Sequence, residues 1–137
     1  MSVFIWPVRV YYEDTDSGGV VYHANYLKFM ERARTESLRA KGIEQDYLQQ
    51  TQGIIFAVHS ITVDYLRPAR FNDYLWVSAD VAERRKASVI FEQVIVRSDA
   101  TAEPTINNQK ALSKGLVKIV CLDAQTMRPR ALPDLIF

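Results

Sequence analysis

An α+β fold, one long helix laid on a largely antiparallel sheet, is what this 137-residue sequence predicts, and two observations carry it. Apolar side chains recur at helical spacing in a single extended stretch, residues 21–40, whereas the segments after residue 54 are β-branched and aromatic or alternate with the two-residue period of strands. Those segments also follow one another without intervening helices. That order favours antiparallel neighbours, and the sheet they form must bury a face beneath the helix. The length suits one core, and neither a linker nor an internal repeat divides it, so a single domain over residues 1–137 is expected.

The elements follow in order. Residues 4–12 are rich in Val, Ile, Tyr and Trp and carry Pro7, which suits a first strand at a sheet edge. Gly18 and Gly19 interrupt the chain. In the helix, Tyr26, Phe29, Met30, Ala33, Ser37 and Ala40 form the apolar stripe, with Lys28, Glu31, Arg32, Glu36 and Arg39 on other faces. The small residues Ala33, Ser37 and Ala40 would let the helix approach the sheet closely, and Gly42 ends it. A short helical turn is expected near residues 46–50. Strands are then expected over residues 54–69, ending at Pro68, over 75–81, with Leu75, Val77, Ala79 and Val81 on one face, and over 88–98 and 111–123. The polar residues 98–109 form a loop, and His59 reads as a satisfied sheet histidine. One helix leaves a second sheet face and two edges uncovered, which predicts a homo-oligomer, at least a dimer.

Composition narrows the function classes. A formal net charge of +1 argues against a dedicated nucleic-acid binder. Cys121, the lone cysteine, lies in GLVKIVCLD and reads as a small buried hydrophobe. The start MSVFIWPVRVYYED has no leader pattern, and nothing approaches the ~20 apolar residues of a membrane span. The expectation is a cytoplasmic protein without stable membrane insertion.

The segment VYYEDTDSGGVVYHANY, residues 10–26, crowds Glu13, Asp14 and Asp16 beside the two glycines. Turn and capping chemistry is one reading, because Asp and Ser side chains accept hydrogen bonds from the first turn of a helix. A calcium loop matches at Asp14, Asp16 and Gly19 but fails at Gly18, which has no ligand oxygen, and at Asn25, where a bidentate Glu is needed. The Asp-x-Asp nucleophile motif of haloacid-dehalogenase-type phosphatases fails on Gly18 and on the element order. The last reading is a hydrolytic carboxylate beside a helix N-terminus. Asp16 would attack an acyl carbon, or activate water, while free N–H groups at the helix start hold the carbonyl oxygen.

At this point YYEDTDSGGVVYHANYLKFMERAR, residues 11–34, resembles the signature of the 4-hydroxybenzoyl-CoA thioesterase family, closest to its Tol-Pal-associated acyl-CoA thioesterase branch. Residues 54–69 and ERRKASVIFEQ at 83–93 continue the match more loosely. The resemblance implies the hotdog fold, a long helix wrapped in an antiparallel sheet, in dimers that pair into tetramers. It implies hydrolysis of acyl-CoA without metal or redox cofactor, with Asp16 as the catalytic carboxylate and the amide near His23 polarising the thioester. His23 is implied as a second catalytic or orienting group, against an ordinary structural role at the helix start. Gly19 permits close backbone approach of substrate; Tyr22 and Asn25 line or brace the site, with core and capping roles open to both. Arg84, Arg85 and Lys86 form a basic run at a strand turn, and in similar thioesterases such cations meet the phosphates of coenzyme A, although a solvated hairpin is the competing reading. Two other functions fit the same fold: dehydration of a hydroxyacyl thioester with His23 as base, and a non-catalytic protein docking on acyl carrier protein.

Overall fold

The structure, a computed structural model, describes residues 3–98 and 103–134. Its elements run β1 (Phe4–Arg9), α1 (His23–Ala40), α2 (Gln45–Gln52), β2 (Ile54–Tyr65), β3 (Tyr74–Arg84), β4 (Ser88–Arg97) and β5 (Ser113–Asp123). The five strands form one sheet in the order β1-β3-β4-β5-β2, and every neighbouring pair is antiparallel. This is the α+β arrangement that the periodicity predicts. Within the polar loop, residues 99–102 lie outside the described residues, and Asn108–Lys110 form a short 3₁₀ turn.

The helix buries Phe29, Met30 and Ala33 completely against Leu75, Val77, Ile95 and Val117 of the sheet. Two details differ from expectation. Ala40 is exposed rather than part of the buried stripe, and Leu38 is the residue of the last turn that α1 buries, in a cluster with Ile54 and Cys121. The tightest approach is set from the sheet side: a Cβ on Gly115 of β5 would lie 2.9 Å from Met30 Sδ, so glycine there makes room for the helix. Gly42, at φ +81°, follows the helix end as its left-handed residue, and Gly53, at φ +66°, does the same for α2. Cys121 is buried, as expected of a small hydrophobe.

A polar chain crosses this core. Gln93 of β4 is completely buried; its Nε2 donates to Met30 O and to Ser78 O, both at 3.0 Å, and its Oε1 accepts from Arg34 Nη1 at 2.9 Å. Helix and sheet are thereby fixed in register by hydrogen bonds as well as by packing, and burial lowers the pKa of the Arg34 guanidinium.

Register places five strand ends together. Arg9 pairs with Tyr74, Leu75 with Arg97, Ile95 with Ser113 and Tyr65 with Ser113. The start of α1 lies at that same end. β2 is an outer strand, and Val58, Ile61 and Tyr65 on it, with Leu66 beyond, are exposed. It carries an irregularity between Val58 and Ser60, which leaves His59 exposed at a bulge rather than satisfied within the sheet. The strand also ends at Tyr65, three residues short of Pro68, since Leu66 and Arg67 turn back to donate to Leu112 O.

Candidate active site

The acidic segment folds into a small hairpin whose tip is the Asp-Ser-Gly-Gly turn. Asp16 N donates to Val20 O at 2.9 Å, Gly19 N donates to Asp16 O at 3.0 Å, and Thr15 bridges Val21. Gly19 adopts φ +80°, the left-handed position that such a three-residue loop requires. Before it, Tyr12–Asp14 make one 3₁₀ turn, so the expected first strand stops at Arg9 rather than Tyr12.

The two aspartates of this turn have different surroundings. Asp14 is buried; its Oδ1 accepts from Asn25 Nδ2 and its Oδ2 from Tyr11 N, both at 2.9 Å, while its carbonyl accepts from Tyr22 N at 2.8 Å. It therefore ties the hairpin to the first turn of α1. Asp16 is exposed, and its Oδ1 accepts from Gly18 N at 2.8 Å. Neither acid caps the helix: the N-cap position is Tyr22, which makes no side-chain capping bond. Capping of α1 is thus not their role, but Asp14 caps the preceding 3₁₀ turn through Tyr11 N and Asp16 closes the turn through Gly18 N. The helix starts two residues later than periodicity suggests, at His23.

Asp16 lines a cleft of about 310 Å³ with His23 and Tyr26 of α1 on one side and Tyr65, Leu66 and Arg67 at the end of β2 on the other. Because the first amides of a helix have no partner within it, the N–H of His23, which lines this cleft, finds no acceptor among the described residues. The dipole of an 18-residue helix adds roughly half a positive charge there. The His23 ring lies 4.4 Å from the Tyr22 ring and 6.3 Å, edge-on, from that of Tyr65, whose hydroxyl donates to His23 O at 2.9 Å. Tyr26 Oη accepts from Ala69 N at 2.9 Å, and burial pushes its phenol pKa up. A carboxylate that shares a partly apolar cleft with the start of a helix can attack, or direct water onto, an acyl carbon whose oxygen the helix amide holds.

The predicted residues divide accordingly. Asp16 and His23 meet at the cleft. Gly19 shapes the hairpin, and Asn25 braces the helix start through Asp14 from a buried position. Tyr22, half exposed, packs on His23. Arg84, Arg85 and Lys86 do not join them in the same chain. Their hairpin closes with Arg85 N on Ser88 O at the far end of β3, whose 11 residues at ~3.3 Å each span roughly 33 Å. There Arg85 pairs with Glu83, and Arg84 donates to Pro133 O. Sequence reasoning missed Tyr26, Tyr65 and Arg67 as cleft residues. Tyr26 lay in the helix stripe and the other two in a run read wholly as strand; Pro68 was the one available sign that a functional loop begins there. A separate hollow of about 240 Å³ beneath α1, lined by Arg34, Leu38 and Phe56, is remote from the acidic turn.

One long helix on a five-stranded antiparallel sheet, with a carboxylate hairpin at the helix start, defines a hotdog-type thioester-processing domain. The model of the Thioesterase superfamily matches residues 18–103, and the chain belongs to that family. It is 45% identical over 132 residues to the acyl-CoA thioester hydrolase YbgC of Escherichia coli, covering 96% of this chain and 91% of that protein. It is likewise 45% identical to the acyl-CoA thioesterase YbgC of Haemophilus influenzae, over 95% of this chain and 88% of the relative. A probable thioesterase from Bartonella henselae superposes with a TM-score of 0.83 at 30% identity, covering 96% of this chain and all of the other.

Proposed function

We propose that this protein hydrolyses acyl-CoA thioesters to a free acid and coenzyme A. The observation that carries the reading is the cleft that Asp16 shares with His23, whose helix-start amide is unpaired among the described residues. In the reaction the thioester oxygen takes that donor as negative charge develops on it, a bond worth about 3 kcal/mol in a transition state. Asp16 either attacks the acyl carbon itself, giving an acyl anhydride that water then hydrolyses to the acid and the free carboxylate, or takes a proton from a water that attacks in its place. The C–S bond breaks, the thiolate departs and is protonated, and the acid remains. His23 orients the acyl group between Tyr22 and Tyr65. Dehydration draws less support, since the His23 ring has no carboxylate partner among the described residues to make the acid–base pair that reaction uses.

The exposed β2 edge, with Val58, Ile61 and Tyr65, supports association with a second copy through that strand, giving a dimer or a tetramer. Arg84, Arg85 and Lys86 would then serve the phosphates of coenzyme A bound to a neighbouring copy. Among the described residues no helix is long and apolar enough to cross a membrane, and we assign the activity to the cytoplasm, with acyl carrier protein as a further partner. Thiol release over a panel of short, long and aromatic acyl-CoAs tests the reading. Turnover of at least one class, abolished in Asp16→Asn, is expected; no thiol release above the level of that variant on any member would sink it.

A further inference from the structure

A buried cation without a carboxylate partner lies at the hollow of about 240 Å³ beneath α1. Arg34 is 8% exposed, yet among the described residues it forms no ion pair, and its guanidinium makes one hydrogen bond, from Nη1 to the neutral Gln93 Oε1. An arginine carries five donors. No fully buried side-chain nitrogen among the described residues is without a partner, so the remaining donors reach open space, and the space that Arg34 lines is this hollow. The other walls are apolar: Leu38 of α1, Phe56 and Val58 of β2, Phe91 of β4 and Ile119 of β5. Thr35 and Gln45 add neutral polar atoms, and Glu31, which is exposed, is the one carboxylate in the lining. Burial acts on Arg34 more strongly than the Glu31 charge does, since its pKa is lowered despite that neighbour. A guanidinium withdrawn from water against hydrocarbon and one neutral acceptor is costly, and an anion that supplies further acceptors removes much of that cost.

We propose that this hollow binds a small carboxylate with a compact apolar body, the carboxylate accepting from Arg34 and the body packing on Phe56, Phe91 and Ile119. The pairing of charge with hydrocarbon sets that class. A planar guanidinium fork takes a carboxylate through two parallel bonds. A water's share of liquid volume is about 30 Å³, so the hollow has space for one aromatic ring or a short alkyl chain. Inorganic phosphate or sulfate would satisfy the fork and leave the apolar wall uncovered. In its own chain the site is separate from the Asp16 cleft, because Arg34 follows His23 by ~16 Å along α1, at 1.5 Å per residue. The proposal stands without the acyl-CoA reading, which bears only on where the carboxylate comes from: a free acid such as hydrolysis releases, or the far end of an acyl group still on coenzyme A and held by a second copy.

Benzoate is the probe and benzamide its neutral isostere, both titrated calorimetrically into the wild-type chain. Benzoate is expected to bind at least ~10-fold tighter, Arg34→Gln to remove that advantage, and Glu31→Gln, which lifts the one opposing charge, to raise benzoate affinity about two- to threefold. Because Gln93 loses a partner in Arg34→Gln, Thr35→Phe is measured beside it. Thr35 is partly buried and its one side-chain hydrogen bond, from Gln45 Nε2, is long at 3.5 Å, so this variant fills the hollow and keeps the Arg34–Gln93 bond. It should abolish benzoate binding. In NMR spectra benzoate should move the Gln93 side-chain amide resonances and leave the Gly18 and Gly19 amides in place. No benzoate binding to the wild-type chain, equal affinity for benzamide, binding that survives Thr35→Phe, or shifts confined to the Asp16 hairpin would each overturn the proposal. Two kinetic arms separate the sources. A free-acid site predicts benzoate inhibition of butyryl-CoA hydrolysis that Thr35→Phe relieves, whereas a carboxylate carried on the acyl group predicts that Thr35→Phe raises the KM for glutaryl-CoA and not for butyryl-CoA. A chain that hydrolyses no thioester yet binds benzoate through Arg34 keeps the site and loses the hydrolase reading.

Discussion

Two halves of one turn, residues 11–14 and 16–19, present the same carboxylate chemistry and put it to opposite uses. Asp14 is 6% exposed and both its oxygens take hydrogen bonds, from Tyr11 N and Asn25 Nδ2. Asp16, two residues on, is exposed, holds Gly18 N with one oxygen and lines the cleft. The difference teaches that a bracing acid and a reacting acid are told apart by what surrounds them. A buried carboxylate whose oxygens are both engaged positions its neighbours, while one with an oxygen to spare beside a helix start can meet a substrate.

Isosteric amides break the comparison most sharply. Asp16→Asn keeps the oxygen that Gly18 N needs and loses the negative charge, so kcat/KM for acyl-CoA should fall at least ~100-fold with the urea midpoint unchanged. Asp14→Asn turns an amide donor toward either Tyr11 N–H or Asn25 Nδ2, and the buried mismatch should cost about 2 kcal/mol of stability. Equilibrium urea unfolding of both variants, alongside thiol-release kinetics at a temperature where both are folded, separates the effects. Equal destabilisation by the two substitutions would erase the distinction between bracing and reacting acids.

The glycines sharpen it further. A Cβ on Gly18 would sit 3.2 Å from Asp16 Oδ1 at an ordinary backbone angle, whereas Gly19 has open space around it but φ +80°. Gly18→Ala should therefore displace the carboxylate by a few tenths of an ångström and lower kcat several-fold, with thermal stability kept. Gly19→Ala should lower stability by about 1 kcal/mol through backbone strain, with the smaller effect on kcat. Thermal melts and kcat measured on both variants would refute this division if the two changed places.

Much of this was legible before the coordinates. The helix stripe at Tyr26, Phe29, Met30 and Ala33 and the alternation at Leu75, Val77 and Ala79 encode burial directly, because each lies within one element and obeys one period. The signature around Asp16 and His23 was equally local. What stayed hidden depends on distant pairs. Gln93 looks like a polar residue in a strand until Arg34 and Met30 O arrive from the helix, and Arg67 acquires meaning only when the end of β2 is laid beside Asp16. The basic run at 84–86 shows the converse. Its charge is conspicuous in the sequence, but one strand length separates it from the acidic turn in the same chain, and no local pattern reports that distance.

Tyr26 supplies the smallest effect, and it links the two halves. Burial raises its phenol pKa above the ordinary value of about 10, the Ala69 N–H bond opposes that rise, and the charge of Asp16 adds to it. The folded state therefore holds this proton more tightly than the unfolded chain does. Its contribution to stability is complete below pH ~10 and is lost as pH climbs through the raised folded value. Urea midpoints at pH 8 and pH 10.5 should show wild type losing up to about 1 kcal/mol more than Tyr26→Phe, which has no phenol to ionise at that position. Adding Asp16→Asn to the wild-type background should trim that loss slightly, since the raised phenol then lacks one of its causes. An alkaline loss identical in wild type and Tyr26→Phe would mean that the phenol at the cleft is solvated, and that the cleft wall is wetter than its packing against Ala69 and Phe29 implies.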